Sequence, residues 1–195
     1  SNYFGGGGGG GGGGLYGPLI TSVPTQASTG LTTWRQQSTN TVADNAIGIT
    51  ITRPDASAVL SGLVTSTVPT PPYSIDALLS ITTDSPSGGG MGFGWEANDG
   101  KNEFLYMSYG ANSGGQFVVQ NQSAFDTYNA NIQYSFYSGY PKVPIWFRVN
   151  DDGTNVNYGF SMDGVNFSYI WRSAKAGSYL GASGYNKILW LVSLS

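Results

Sequence analysis

Two Asp-Gly dipeptides near the carboxyl end constrain the fold of this 195-residue chain more than any other feature. Asp152-Gly153 and Asp163-Gly164 each separate stretches in which apolar and polar residues alternate. Asp-Gly is a preferred pair for two-residue hairpin turns, and alternation indicates a strand with one buried face. The segment from Ile145 to Trp171 is therefore predicted to form a three-stranded antiparallel meander.

The two turns independently predict the same buried face for the middle strand of this meander. Pairing outward from the first turn puts Phe147 opposite Tyr158, and pairing outward from the second turn puts Tyr158 opposite Tyr169. A slip of one residue would move every side chain to the other face, so this agreement is informative. Arg148 and Asn157 are predicted to lie on the opposite face. The predicted buried face consists of Ile145, Phe147, Val149, Val156, Tyr158, Phe160, Phe167, Tyr169 and Trp171.

The rest of the chain after Thr21 shows the same pattern of short apolar runs separated by Gly, Pro, Asn and Asp. This pattern is typical of β-sandwiches and barrels, and we find no convincing amphipathic helix and no internal repeat. The Pro-rich residues 67–72 are predicted to link strands rather than to pair. The fold is therefore predicted to be all-β. The predicted strands are Thr41–Asp44, Gly48–Thr52, Leu60–Thr65, Tyr73–Thr82, Gly92–Ala97, Asn102–Tyr109, Gln116–Gln120, Ile145–Asn150, Asn155–Ser161, Asn166–Arg172 and Ile188–Leu194.

The composition excludes several kinds of chemistry. The chain has no Cys and no His, which excludes disulfides, thiolate or His-based catalysis, and metal sites built on either residue. Eight Lys and Arg against 11 Asp and Glu cannot neutralise many phosphates, so we expect no nucleic-acid partner. No apolar run approaches the roughly 20 residues of a membrane span, and the amino terminus lacks the regions of a signal peptide. The low charge suits an extracellular or virion setting.

Ten consecutive glycines, Gly5 to Gly14, lie between the apolar residues Tyr3 and Phe4 on one side and Leu15 and Tyr16 on the other. One interpretation is a flexible tether. The other, which we favour, is an arm that becomes ordered by assembly, because glycines bury no side chains and any order must come from backbone contacts or close packing at an axis. Residues 1–20 are therefore predicted to form an assembly arm, and residues 21–195 the sandwich.

The segment PIWFRVNDDGTNVNYGFSMDGVNFSYIW, Pro144 to Trp171, resembles concanavalin-like jelly-roll domains, and more specifically a domain of tailed-bacteriophage virion proteins. Similar matches to the opening and middle strands extend the resemblance over about residues 31–195, leaving the glycine arm outside it. The resemblance implies a jelly-roll sandwich on a phage tail fibre, tail tip or related appendage, where such modules are structural or bind host glycans. It also implies assembly with other copies, most often as a homotrimer, and with other virion proteins.

Two glutamates, Glu96 and Glu103, raise the possibility of a glycan hydrolase. If Asp99-Gly100 is a two-residue turn, they lie directly opposite each other, about as far apart as the carboxylates of a retaining glycosidase. A register shifted by one residue is the alternative, because like charges opposite each other are unfavourable. The sequence lacks the single-strand acidic motif of concanavalin-like hydrolases, so we expect no catalytic residues.

The acidic residues around 151–163 could suggest Ca²⁺, but they are accounted for by the turns, and we expect no metal and no cofactor.

Three tryptophans, Trp34, Trp95 and Trp146, are candidates for stacking on sugar rings, although aromatic residues in such a chain mostly fill the core. The sequence as a whole predicts a non-enzymatic virion structural protein that contributes to host-surface attachment. The alternatives are a lectin-like carbohydrate-binding module, a capsid decoration protein and, less favoured, a glycan hydrolase. A lectin requires a shallow polar cleft with an exposed Trp or Tyr, and a scaffold does not.

Overall fold

The computed structural model describes residues 3–6, 22–54, 60–82, 89–110, 114–137, 143–181 and 184–194. Within these ranges the chain is almost entirely β-structure, with one four-residue helix and one short 3₁₀ turn at Lys175–Gly177. The elements are β1 (Tyr3–Gly6), α1 (Gln26–Thr29), β2 (Thr33–Arg35), β3 (Thr41–Asn45), β4 (Gly48–Thr52), β5 (Ser61–Val64), β6 (Tyr73–Leu79), β7 (Gly89–Ala97), β8 (Asn102–Gly110), β9 (Gly114–Ala124), β10 (Thr127–Tyr137), β11 (Ile145–Asp151), β12 (Asn155–Ser161), β13 (Ser168–Ala174) and β14 (Tyr185–Leu194).

The strands form two antiparallel sheets and a separate β3–β4 hairpin. The five-stranded sheet has the order β1-β6-β11-β12-β13, and the seven-stranded sheet has the order β10-β9-β8-β7-β14-β5-β2. The chain crosses repeatedly from one sheet to the other, and the last strand, β14, lies between β5 and β7. This is the jelly-roll β-sandwich predicted from the sequence.

A single large apolar core lies between the two sheets. Alternate residues of each strand point into it, as the pleat requires. The fully buried Trp95 makes an edge-to-face contact with Tyr158 (5.2 Å between ring centroids), and Phe117 stacks on Phe160 at 4.1 Å. The most buried large side chains include Phe93, Trp95, Leu105, Phe117, Phe147 and Tyr158.

All eleven predicted strands are present, with ends that differ by a few residues. Strands β2, β10 and the short edge strand β1 were not predicted from the sequence. Strand β10 has the sequence TYNANIQYSFY, which contains two asparagines. Asn is depleted in strands, so the segment was not predicted as one. It lies at the edge of its sheet, where one side of the strand needs no partner.

The buried face of the meander is largely as predicted, but the register of its first hairpin is wrong by two residues. Phe147 lies opposite Phe160 rather than Tyr158. The Asp152 carboxylate accepts hydrogen bonds from the backbone N–H groups of Thr154 (2.9 Å) and Asn155 (2.6 Å) and so closes a four-residue turn. A shift of two residues preserves the face, so Phe147, Val149 and Tyr158 are fully buried as expected.

The second hairpin departs from the prediction in a way that matters for function. A β-bulge lies between Tyr158 and Gly159, where Tyr158 pairs with Trp171 but Gly159 pairs with Tyr169. The extra residue turns Tyr169 to the outer face of the sheet, where 51% of it is exposed. Phe167 also lies on the outer face, under Arg148. The prediction that Phe167 and Tyr169 belong to the core is therefore wrong.

The outer face of the seven-stranded sheet is curved and filled by the protein's own side chains. Asp126, in the turn between β9 and β10, accepts a hydrogen bond from the backbone N–H of Leu60 beside β5, at the other side of the sheet (3.4 Å). A second apolar cluster, with four fully buried side chains, fills the curve. It consists of Val64, Phe104, Leu189 and Leu191, with Leu60, Tyr106 and Phe125 packed against it.

Strand β1 adds the first residues of the predicted arm to the five-stranded sheet. Its backbone pairs antiparallel with β6, from Tyr3 opposite Leu78 to Gly6 opposite Ile75, and includes Phe4 and Gly5. The remaining named arm residues, Gly14, Leu15 and Tyr16, lie outside the described residues.

Candidate functional site

The outer face of the five-stranded sheet carries a group of polar and aromatic side chains around one arginine. We call this group the Arg148 face. It is built from strands β6, β11, β12 and β13 and from Phe167, which directly precedes β13. Its strand members point away from the core because they alternate with buried residues. The Arg148 face consists of Asp76, Arg148, Asn150, Asn157, Phe167 and Tyr169.

A bidentate ion pair fixes the centre of this face. Arg148 and Asp76 lie directly opposite each other on β11 and β6. The Nε and Nη2 atoms of Arg148 donate to Oδ1 and Oδ2 of Asp76, both at 2.7 Å. These hydrogen bonds raise the pKa of the Arg148 guanidinium above its usual value, against the opposing effect of burial. The arginine is thus a permanent, oriented cation with part of its surface open to solvent.

Two aromatic rings flank the guanidinium. The Phe167 ring centroid lies 3.6 Å from Cζ of Arg148, which is stacking distance. Tyr169 lies over Gly159, where an added Cβ would come within 3.1 Å of its ring carbon Cδ1. A residue larger than Gly at position 159 would therefore displace the ring. Because Gly159 has no side chain, the Tyr169 ring can lie over it and beside Arg148.

Two asparagines extend the polar surface along the sheet. Asn157 donates to Oδ1 of Asn150 at 2.7 Å, and Asn150 donates to Oγ of Ser74 at 2.8 Å and to the backbone carbonyl of Tyr73 at 3.0 Å. The amides are therefore held in fixed orientations. Together with the ion pair they form a row of oriented donors and acceptors beside an exposed aromatic ring.

The three tryptophans named from the sequence are not exposed platforms. Trp95 is fully buried and donates from Nε1 to the Tyr73 hydroxyl at 3.0 Å. Trp34 is half-buried and packs against the core. Trp146 lies on the outer side of the five-stranded sheet, opposite Ser161, but is only 7% exposed. On the five-stranded sheet, Tyr169 is exposed instead. The available signal for it was Gly159, since a glycine inside a strand often marks a bulge.

The two glutamates lie on opposite faces of the seven-stranded sheet. Glu96 pairs with Asn102 and Glu103 with Trp95, so the register is the one shifted by a residue. Glu96 is held by Arg35 through two hydrogen bonds (2.6 and 2.7 Å) and by Lys187 at 3.2 Å. Glu103 points into the core. The sheet itself separates the two carboxylates, which therefore cannot act together on one glycosidic bond.

Glu103 is nevertheless an unusual residue. It is 1% exposed and accepts a hydrogen bond from the Tyr158 hydroxyl at 3.0 Å. Burial raises the pKa of the Glu103 carboxyl to about 7, and the bond from Tyr158 opposes this shift. The carboxyl therefore changes its protonation state near neutral pH inside the sandwich.

A third polar cluster closes one end of the sandwich beside a cleft of about 410 Å³. The carboxylate of Asp151 is fully buried and accepts from Lys175 Nζ (2.8 Å), from the backbone N–H of Gly153 (2.9 Å) and from the Tyr185 hydroxyl. Burial and the bond to Asp151 raise the pKa of Tyr185. Since Asp151 finds its partners within the chain, this cluster ties three segments together.

No group of three or more acidic side chains within bonding distance of a common metal ion occurs among the described residues. Asp163 lies in the second Asp-Gly turn, where it accepts from the backbone N–H groups of Val165 and Asn166, both at 2.8 Å. Those hydrogen bonds hold the pKa of Asp163 well below its usual value. Within the part of the chain that the structure describes, no helix has the length and apolar character of a bilayer span.

No protein-family model and no curated protein sequence matches the chain. Solved structures give distant likenesses. The CBM2 module of an evolved Dit from Lactobacillus casei BL23 phage J-1 matches 69% of this chain at 11% identity with a TM-score of 0.47, and the match spans 62% of that module's chain. A doubly substituted human galectin-16 matches 67% of this chain and 95% of its own at 14% identity, with a TM-score of 0.30.

A family 7 alginate lyase in complex with its substrate matches 87% of this chain and 85% of its own at 13% identity, with a TM-score of 0.23. Identities and TM-scores this low establish no residue-by-residue correspondence with the Arg148 face. The jelly-roll assignment follows from the strand order of the chain itself.

Proposed function

We propose that this chain is a non-enzymatic module of a virion appendage that binds host-surface glycan through the Arg148 face. The observation that carries the proposal is Tyr169, an exposed aromatic ring beside a bidentate ion pair on the outer face of the five-stranded sheet.

The chemistry of the face suits a sugar ring. A pyranose offers an apolar C–H face, which can lie against Tyr169, and hydroxyls at its rim, which can donate to Asp76 and accept from Arg148. The Asn157 amide extends the same row. Because the ion pair and the amides are already oriented, little side-chain entropy is lost on binding.

Absence of catalysis is the second part of the proposal. It is supported by the sheet that separates Glu96 from Glu103 and by the absence of His and Cys from the sequence. We expect the chain to bind polysaccharide without cleaving it. Oligosaccharides are incubated with the native chain, with Glu96→Gln or with Glu103→Gln and then separated by chromatography. All three incubations should give the same product profile.

The virion setting is supported by the resemblance of residues 144–171 to tailed-phage domains and by the glycine arm. In this setting the chain would assemble as a homotrimer and with other virion proteins, as part of a tail fibre or tail tip. Decoration of a capsid surface is the alternative position for the same module.

A glycan array tests the binding proposal with a matched pair of variants. Arg148→Lys keeps the charge but loses the bidentate bond to Asp76. The control, Arg35→Lys, loses the corresponding bidentate bond to Glu96 on the seven-stranded sheet. We expect the first variant to lose about tenfold in affinity for any glycan that the native chain binds, and the second to bind normally. Equal binding by both variants, or an array with no bound glycan, would count against the proposal.

A further inference from the structure

The charges around the Arg148 face carry an inference about the class of glycan that it accepts. Among the described residues of β6, β11, β12 and β13, two cations lie on the outer face: Arg148, and Arg172, which is opposite Asn157. Each has a carboxylate partner within the chain, Asp76 at 2.7 Å from Arg148 and Asp152 at 3.5 Å from Arg172. The positive charges of these four strands are therefore already balanced on this face.

Asp76 occupies the position on Arg148 that the carboxylate of an acidic sugar would take. A guanidinium binds a carboxylate best through two parallel N–H···O bonds, and the Nε and Nη2 atoms of Arg148 make these bonds with Asp76. The Phe167 ring lies against the plane of the same guanidinium. An acidic sugar would have to displace Asp76 or approach beside it as a second negative charge, and both routes are unfavourable.

A third carboxylate adds negative charge at one end of the sheet. Asp163 lies in the turn that leads to Phe167, and the four hydrogen bonds that it accepts among the described residues come from neutral donors. These donors are the Ser161 hydroxyl, the backbone N–H groups of Val165 and Asn166, and the Asn166 amide. The chain as a whole carries a net charge of -3. The electrostatic field therefore also disfavours an anionic ligand.

The groups that remain for a ligand are neutral or neutralised. They are the exposed ring of Tyr169, the fixed amides of Asn150 and Asn157, and the ion pair of Arg148 with Asp76. Sugar hydroxyls both donate and accept hydrogen bonds, so they match such groups without bringing a charge that needs a partner.

We propose that the Arg148 face selects neutral glycans and that Asp76 is the residue that excludes acidic ones. This inference rests on the proposed function, because it names the class of glycan bound at the same site. Without the carboxylate of Asp76, Arg148 would present an unbalanced, forked cation of the kind that binds carboxylates.

Matched pairs of oligosaccharides test the selection. Each pair consists of a neutral oligosaccharide and the uronic acid of the same stereochemistry, in which the hydroxymethyl group outside the ring is replaced by a carboxylate. Isothermal titration measures the affinity of the native chain, of Asp76→Asn and of Asp99→Asn for both members. Asp99→Asn is the control, since it also removes one carboxylate from an ion pair, with Lys101 at 2.8 Å, but between β7 and β8 of the other sheet.

We expect the native chain and Asp99→Asn to bind the neutral member at least about tenfold more tightly than the acidic one. Asp76→Asn should lose this preference or reverse it. In the native chain, raising NaCl from about 0.05 M to 0.5 M should leave the affinity for the neutral member nearly unchanged, because no net charge is neutralised on binding. The two measurements on the native chain need no variant, so they remain decisive if Asp76→Asn folds poorly.

Equal or tighter binding of the acidic member by the native chain would overturn the selection, as would a folded Asp76→Asn that keeps the native preference. If Tyr169→Ala abolishes that acidic binding, the proposed function stands and only the selection for neutral glycans is wrong. If the native chain binds neither class, the proposed function fails together with the inference.

Discussion

At the scale of single residues, Glu103 sets how stability depends on pH. The pKa of this carboxyl is raised from an ordinary value of 4.5 to about 7. The folded state therefore binds more protons than the unfolded state between these values, and stability falls as pH rises through that window. The shift corresponds to roughly 3 kcal/mol.

Glu103→Gln should abolish this dependence, because Gln is neutral and its carbonyl can still accept from Tyr158. Chemical denaturation between pH 4.5 and 8 measures it. We expect the native chain to lose stability across the window and the variant to change much less. Glu96→Gln is the control, since Glu96 is paired with Arg35 and Lys187 rather than buried without a cation. Parallel curves of stability against pH for the native chain and Glu103→Gln would refute the assignment of this pH dependence to Glu103.

Two phenylalanines on opposite faces of one sheet provide a second residue-scale prediction. Phe147 is fully buried and meets Phe117 edge-to-face at 5.9 Å, whereas Phe167 lies on the outer face under Arg148. Phe147→Ala should cost about 3–5 kcal/mol of unfolding free energy. Phe167→Ala should cost roughly 1–2 kcal/mol. Urea titration measures the loss of unfolding free energy in both variants. A larger loss for Phe167→Ala would contradict the assignment of Phe147 to the core and Phe167 to the outer face.

At the scale of elements, the two Asp-Gly turns show both what the sequence predicts and where prediction ends. The alternation of apolar residues identified Phe147, Val149 and Tyr158 as core residues because a pleat has a period of two. It could not distinguish a two-residue turn from a four-residue turn, since both keep the same face. The alternation also could not predict the bulge beside Gly159 or the outward position of Tyr169 that results from it. The position of a bulge depends on packing across the sheet rather than on the strand's own pattern.

The second turn yields an element-scale prediction. Asp163 accepts two backbone N–H groups, from Val165 and Asn166, and lies in an otherwise exposed loop. Asp163→Ala should lower the stability of the chain, because the turn loses its carboxylate acceptor. Asp163→Asn keeps one carbonyl acceptor, so it should lose less than half as much stability as Asp163→Ala. Thermal unfolding of the three proteins at pH 7 tests the order, and equal melting temperatures would show that the carboxylate does not hold the turn.

At the scale of the whole molecule, the arm and the sandwich should be separable. The core between the sheets consists of residues from Leu31 onward, so deletion of residues 1–16 should leave a folded sandwich with near-native circular dichroism. The deletion also uncovers the edge of β6. We expect the truncated chain to be monomeric in light scattering and to fail to join particles, and normal assembly without the arm would show that it is only a tether.

Two exposed tyrosines on different sheets provide a test of glycan binding by the Arg148 face. Tyr169 is 51% exposed on that face, and Tyr128 is 61% exposed on β10 of the other sheet, so the two can be truncated at similar structural cost. Isothermal titration with the best glycan from the array is the measurement. We expect Tyr169→Ala to weaken binding about tenfold or more and Tyr128→Ala to bind like the native chain. Unchanged affinity in Tyr169→Ala, or an equal loss in both variants, would contradict it.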